Sequence, residues 1–273
     1  MRRRGAVLLA VAATLQAALA AAQDRPPDRP LDRPAGRPPA AEAGPQGRPP
    51  ADPRPEAGPQ PEAPAQAALA FGPPAPPRWF TLRESDRDYA ACRLALSLLG
   101  TVYAEQPPMT DPEDPDCGIA RPIRVDRILP DLTVEGGAVM RCDTARALGF
   151  WARDFLRPAG AVLSDAPRIT GLQLGSTYDC RPRVGAGADR PKLSEHALGN
   201  AVDIAAFVFD GGDSLAVQPR QDSGDLAEAF QRTARAAGCL YFTTVLGPGS
   251  NEAHADHLHL DLAERRGGWR LCQ

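Results

Sequence analysis

The chain has 273 residues, a formal net charge of −3 and an isoelectric point near 5.9, which excludes the broad basic field that nucleic-acid binding requires. Of its 30 prolines, 18 fall within residues 24–77, where Leu31, Leu69 and Phe71 are the only large apolar side chains. Such a stretch cannot bury enough apolar surface to offset its ordering entropy, so a disordered Pro-rich spacer is expected over 23–77 and one folded domain over 78–273.

Arg2, Arg3 and Arg4 precede an Ala/Val/Leu run over 6–15, and Ala18-Leu19-Ala20 or Ala20-Ala21-Ala22 supplies a small-x-small cleavage pattern. Residues 1–22 therefore read as a secretory signal peptide, and the expected location is the periplasm or the extracellular space. No later apolar run approaches the roughly 20 residues that cross a bilayer, so no membrane span is expected after signal removal. The repeated Arg-Pro, Pro-Glu and Gly-Pro-Gln phrases of the spacer favour extended polyproline II. Cys92, Cys117, Cys142, Cys180, Cys239 and Cys272 all lie in the folded part, and none forms a C-x-x-C pair. In an exported chain this predicts three disulfides rather than thiolate metal ligation, with fifteen pairings open.

A helix is expected over 85–99, capped by Ser85, with Ala91, Leu94, Leu98 and Leu99 as its apolar face. A Pro/Asp-rich loop and a short extended segment follow over 111–130. Residues 142–156 predict a second helix with Leu148, Trp151, Ala152 and Phe155 on one face, ended by Pro158. Residues 169–178 read as extended, and 185–191 as a glycine-containing loop. Alternation from Ala201 to Ala205 marks a strand with Val202 and Ile204 on one side and Ala201 and Asp203 on the other. A third helix over 225–237 turns Leu226, Phe230, Thr233 and Ala237 inward and stops at Gly238. An apolar run over 240–246, a Gly-Pro-Gly turn and a strand over 257–262 complete the chain. Helices and strands mix without a βαβ rhythm, so the expected class is α+β with a mainly antiparallel sheet.

All four histidines, His196, His254, His257 and His259, lie in two segments. Period-two alternation puts His257, His259 and Asp261 on one strand face and Leu258, Leu260 and Leu262 on the other. If Asp203 projects from a neighbouring strand and His196 from the loop entering it, imidazole and carboxylate ligands converge. That donor set, with one position left for water, suits a catalytic zinc ion. His-x-His alone is a weak signal; the stronger one is Ser-x-His-x-x-Gly-x-Ala-x-Asp followed some fifty residues later by Asp-His-x-His-x-Asp.

Ser194-x-His196-x-x-Gly199-x-Ala201-x-Asp203 with His257-x-His259 resembles the zinc-site signature of D-Ala-D-Ala carboxypeptidases, lysostaphin-type endopeptidases and the hedgehog signalling domain. Tyr178-x-Cys180-Arg181-Pro182, the Leu193–Ala197 motif with Gly199-Asn200-Ala201, the run from Thr244 to Gly249 and Asp256-His257-x-His259-x-Asp261-Leu262 are similar to the bacterial extensin-like C-terminal domain family. The resemblance implies Zn²⁺ held by His196, Asp203 and His259, with His257 beside the open coordination position as proton carrier or oxyanion stabiliser. It implies a zinc-dependent peptidase or amidase acting on peptidoglycan stem peptides or another cell-envelope polymer. The alternative is a non-catalytic zinc-containing binding or structural domain of the envelope. Arg181 occupies the place where carboxypeptidase relatives bind substrate carboxylate, or else it forms a surface salt bridge. Some relatives carry a catalytic Glu where this chain has Asp256, which leaves the base as His257, Asp256 or neither. His254 is an extra ligand, a substrate contact or a rim residue, and Ser194 a hydrogen-bond partner inside the site.

Because the spacer offers almost nothing to a core, deleting residues 24–77 is expected to leave the thermal midpoint of the folded part nearly unchanged. A scanning-calorimetry comparison checks this, and a large loss would mean that the spacer docks on the domain.

Overall fold

The structure, a computed structural model, describes residues 75–163, 165, 167–184, 192–211, 214–220 and 222–273. The segments expected to be a signal peptide, a spacer (up to residue 74) and a glycine-containing loop (185–191) lie outside the described residues. In chain order the elements are α1 (Arg78–Thr81), α2 (Asp86–Leu99), β1 (Val102–Glu105), β2 (Met109–Thr110), β3 (Gly118–Ile119), β4 (Pro122–Leu129), β5 (Leu132–Arg141), α3 (Cys142–Trp151) and α4 (Arg157–Gly160). There follow β6 (Ile169–Leu174), β7 (Ala201–Phe209), β8 (Ser214–Ala216), α5 (Leu226–Tyr241), β9 (Thr244–Leu246), β10 (Leu258–Asp261) and β11 (Leu271–Cys272). The main sheet runs β1-β4-β5-β6-β7-β10-β9-β11, with β8 also on β7, and only the β5/β6 and β9/β11 pairs are parallel. The expected α+β class with a mainly antiparallel sheet is the architecture observed.

Strand alternation determines which side chains face the helices. Val202, Ile204, Leu258, Leu260 and Val245 belong to one buried cluster with Trp151, Phe207, Phe230 and Phe242. Trp151 anchors it: its indole N–H donates to the Ala234 carbonyl at 3.0 Å, and its ring meets Phe207 and Phe242 at 6.3 and 6.4 Å. The opposite face of the same strands is therefore left with Asp203, His259 and Asp261.

Three disulfides, Cys92–Cys142, Cys117–Cys180 and Cys239–Cys272, tie α2 to α3, the residue preceding β3 to the segment after β6, and α5 to β11. They span 50, 63 and 33 residues. On the chain-entropy model each cross-link of that size removes about 4 kcal/mol of unfolded-state freedom.

Four local expectations are corrected. In α2 the inward face is Tyr89, Cys92, Leu96 and Leu99, while Ala91, Leu94 and Leu98 are exposed, because the disulfide from Cys92 to Cys142 sets the rotation of the helix. Pro158 does not end the second helix. A π-turn over Ala152–Leu156 carries the chain into α4, with Pro158 in its first turn, where a missing N–H costs nothing. Gly238 lies inside α5 rather than at its end, and a Cβ there would come within 3.3 Å of Leu260, so the glycine permits close helix-on-sheet packing. Leu226 and Thr233 of that helix are exposed, whereas Phe230 and Ala237 are buried. Finally, β5 had no expected counterpart, because Gly136 and Gly137, both at positive φ, interrupt its apolar alternation.

The turn that enters β7 is tightly specified. Ser194 caps a 3₁₀ turn over Glu195–Leu198, and Gly199 closes it at φ 61°. A Cβ on Gly199 would overlap the Ile119 side chain. Gly199→Ala therefore combines left-handed strain with overpacking and is expected to cost about 2–4 kcal/mol, read as a lower denaturant midpoint at unchanged slope.

Candidate metal centre

The β7/β10 register sets His259 directly across from Asp203, with Leu258 opposite Ile204 on the core side. The 3₁₀ turn delivers His196 to the same point. Asp203 Oδ1 lies 3.2 Å from His196 Nε2 and 2.9 Å from His259 Nδ1, and the two ring nitrogens are 3.1 Å apart. The sequence-expected trio thus forms one group whose ligand atoms face one another. All three residues are buried.

Hydrogen bonds behind the rings decide what those atoms are. His196 Nδ1 lies 2.8 Å from the Thr177 carbonyl oxygen, which can only accept, so that nitrogen carries the proton and Nε2 presents a lone pair. His259 Nε2 lies 3.1 Å from the Asp261 carboxylate, so Nδ1 presents a lone pair when the ring is neutral. Two lone pairs and a carboxylate oxygen then converge with no donor among them, which is an electrostatic demand for a cation. A proton meets it in part. Burial disfavours a charged His259, yet the hydrogen bonds its ring donates to Asp203 and Asp261 outweigh that and raise its pKa to about 9. Burial likewise opposes ionisation of Asp203, and His196 and His259 overcome it, holding the carboxyl well below the usual range.

The donor set also fits a metal ion. Ligands at about 2.0–2.1 Å from a tetrahedral ion stand about 3.3–3.4 Å apart, close to the spacings here. Nitrogen and carboxylate donors suit zinc. Asp114, Cys117 and Cys180 also cluster, but the two sulfurs are spent on a disulfide.

A cleft of about 160 Å³ reaches the trio at His259 and is lined among others by Arg181, Ser194, His254 and His257. His257 stands at the entrance to β10, with Nε2 3.7 Å from Asp203 Oδ1 and Nδ1 2.9 Å from Asp256 Oδ1. The Asp256 side chain is 89% exposed, and its bond to His257 holds its carboxyl below the ordinary range. His254 donates from Nδ1 to Asn251 at 2.7 Å and packs 5.2 and 5.5 Å from the rings of His257 and His259. Burial, aided by the neighbouring imidazoles, lowers its pKa to about 4. Arg181 is engaged by Asp179 at 2.8 Å while lining the cleft. Ser194 Oγ accepts the His196 backbone N–H at 3.3 Å, so its first contact is with the turn itself.

Sequence reasoning missed what stands behind the turn. Arg141 donates to Glu84, Asn200 and the Leu82 carbonyl, Asn200 donates to Glu195, and Glu195 pairs with Arg183. This chain of polar groups locks the residues on either side of His196. The Asn200 and Glu195 positions were visible in the motif; Glu84 and Arg141 are too distant in sequence to carry a signal. Thr177 acts through its carbonyl, which no side-chain pattern records.

Comparison with curated proteins and with solved structures finds no significant match. The family described as extensin-like protein C-terminus matches residues 90–273, which contain every residue of the metal-site motif and all six cysteines. With two thirds of its length so matched, the chain belongs to the extensin-like C-terminal family.

Proposed function

We propose that the protein is an exported zinc-dependent amidase or peptidase acting on peptidoglycan stem peptides or another cell-envelope polymer. The observation that carries the reading is the convergence of the His196, Asp203 and His259 ligand atoms, with inward lone pairs fixed by Thr177 and Asp261, beside a cleft that His259 lines. Three disulfides and the basic-apolar leader support export. Among the described residues no helix is long and apolar enough to cross a membrane.

His196, Asp203 and His259 would hold the ion. When bound there, zinc supplies Lewis acidity that polarises an amide carbonyl and makes water a better nucleophile near neutral pH. His257 handles protons. Its Nδ1–H points to Asp256, so Nε2 is the nitrogen that takes a proton from attacking water and returns it to the departing amine. Asp256 acts through that ring as a positioning residue. His254 is neutral above about pH 4 and so adds no positive charge beside a cation.

His259→Ala is expected to abolish stoichiometric zinc while the disulfides keep the fold, measured by elemental analysis and circular dichroism. His257→Ala is expected to keep zinc and lose roughly a hundredfold to ten-thousandfold in hydrolysis, measured by mass spectrometry of a peptidoglycan digest. Zinc-loaded wild type that releases no product from any peptidoglycan fraction would leave a metal-containing binding domain instead.

The pH dependence has a definite sign. In the metal-free protein the raised pKa of His259 contributes stability that is complete below about 6.5 and is lost as pH rises through about 9. The depressed Asp203 contributes stability above its ordinary range that is lost only in acid. Metal-free protein is therefore expected to lose thermal stability between pH 6.5 and 9, while zinc-loaded protein is not. Over the same interval the apparent zinc affinity should rise by up to about tenfold per pH unit, as the metal displaces one proton.

A further inference from the structure

The chain carries a formal charge of −3, yet one hollow in its surface gathers cations. A recess of about 620 Å³ opens between α1, the segment that leads into the 3₁₀ turn and the residues that follow β10. Arg78, Arg183, Lys192 and Arg265 line it, facing Glu195 and Glu264. It is not the metal cleft: neither the trio nor His254 or His257 is among the described residues that line it. Arg183, Glu195 and Arg265 border both spaces and form the wall between them.

The charges of this recess do not cancel. Glu195 is buried and both its oxygens are engaged, one by Arg183 and the other by Asn200, and Arg183 also donates from Nε to the Leu193 carbonyl. Arg78, Lys192 and Arg265 pair with no carboxylate among the described residues, which leaves Glu264 alone against three cations, a net of two positive charges. Arg265 Nη1 is buried and has no hydrogen-bond partner among those residues. Its guanidinium carbon lies 4.8 Å from the centre of the Trp269 ring, which lines the same recess, and this stacking fixes the plane of the fork. Like charges gathered around a hollow repel, and a buried donor left unmade costs more than an average hydrogen bond returns, so the recess calls for an anion.

We propose that the recess binds a phosphate monoester, with Arg78 and Arg265 as guanidinium forks and Lys192 as a point charge. At neutral pH such a group carries about 1.5 to 2 negative charges on three acceptor oxygens, which matches the net charge of the recess and its three unpaired cations. A carboxylate, with a single charge, leaves half of that field unanswered. The recess is also larger than a phosphate alone requires: its volume of about 620 Å³ lies within the roughly 300–1,000 Å³ of small-molecule sites, so it takes the phosphate together with the group that bears it. Arg78, Lys192 and Arg265 come from three distant parts of the chain, and only the folded domain brings them to one hollow. The bearer is a phosphorylated saccharide or a lipid headgroup, and either would hold the protein in place with the metal cleft on the other side of the Arg183–Glu195 wall. The anion site does not rest on the hydrolase reading.

The test is calorimetric titration of the full chain, metal-free and zinc-loaded, with glucose 6-phosphate and with glucuronate, which puts a carboxylate where the first has its phosphate. Wild type is expected to bind glucose 6-phosphate about tenfold or more tightly than glucuronate, with or without zinc. Arg265→Gln should weaken that binding about tenfold, and Arg78→Gln and Lys192→Gln at least about threefold each. Arg266→Gln, which removes the same charge one residue outside the recess, should leave it unchanged. An intact disulfide count and a wild-type circular-dichroism spectrum show that the variants are folded. Should Arg265→Gln fail to fold, Lys192→Gln decides, because that side chain is exposed. Cosedimentation with phosphatidylcholine vesicles, with and without phosphatidic acid, separates the two bearers. Capture that needs phosphatidic acid and is lost in the Arg265 variant supports the proposal and assigns a lipid headgroup; glucose 6-phosphate binding without vesicle capture supports it and assigns a saccharide. Wild type that binds phosphate and carboxylate alike overturns it, as does affinity retained in the folded Arg265 and Lys192 variants. Equal weakening by Arg266→Gln reduces the effect to overall charge, and binding that appears only with zinc and ignores Arg265 assigns the anion to the metal; either result overturns the proposal too.

Discussion

Each of the two buried imidazoles has one nitrogen committed outward, His196 Nδ1 to the Thr177 carbonyl and His259 Nε2 to the Asp261 carboxylate. Everything else at the site follows from that commitment. With the outward nitrogens protonated, the inward nitrogens of the neutral rings offer lone pairs, and they do so within 3.2 Å of a buried carboxylate oxygen. Such an arrangement is costly in the interior unless a cation occupies its centre, so the fold must hold the rings against their mutual repulsion. The disulfide between Cys117 and Cys180 pins the segment that carries Thr177, and the β7/β10 ladder fixes His259 against Asp203.

The polar chain from Glu84 through Arg141, Asn200 and Glu195 to Arg183 serves the same end from behind. Glu84 and Glu195 are almost fully buried, and each is stabilised by a guanidinium. Replacing such pairs with apolar residues can leave stability unchanged, so their value here is placement. They set the backbone on both sides of His196, where an ångström of drift would separate its Nε2 from the other two ligand atoms.

The core strands and the facing of Asp203 by His259 were legible in the sequence because both are written in period two. Val202, Ile204, Leu258 and Leu260 alternate against Asp203, His259 and Asp261, and a strand that buries the first set must present the second. The helix faces were less legible. In α2 the residues Leu94 and Leu98 look as apolar as Leu96 and Leu99, and only the bond from Cys92 to Cys142 distinguishes the buried side. Proline and glycine misled as stop signals at Pro158 and Gly238, because a π-turn absorbs the first and close packing on Leu260 requires the second. Glu84, Arg141 and Arg265 carried no signal at all, since a lone charge has no period.

The spacing of the motif can be understood as mechanical necessity. Ser194 must precede His196 by two residues for its hydroxyl to accept that residue's N–H and start the turn. Gly199 must follow by three, because the chain reverses there at positive φ against Ile119, where no side chain fits. Ala201 is fully buried directly across from Asp261, which limits that position to a methyl group and leaves the carboxylate free to reach His259. Asp203, two residues on, returns to the same face and meets the inward nitrogens. The intervals of two, three, two and two are thus a cap, a turn and a strand pleat in succession, and any chain that brings a histidine and an aspartate to one point by this route is held to them.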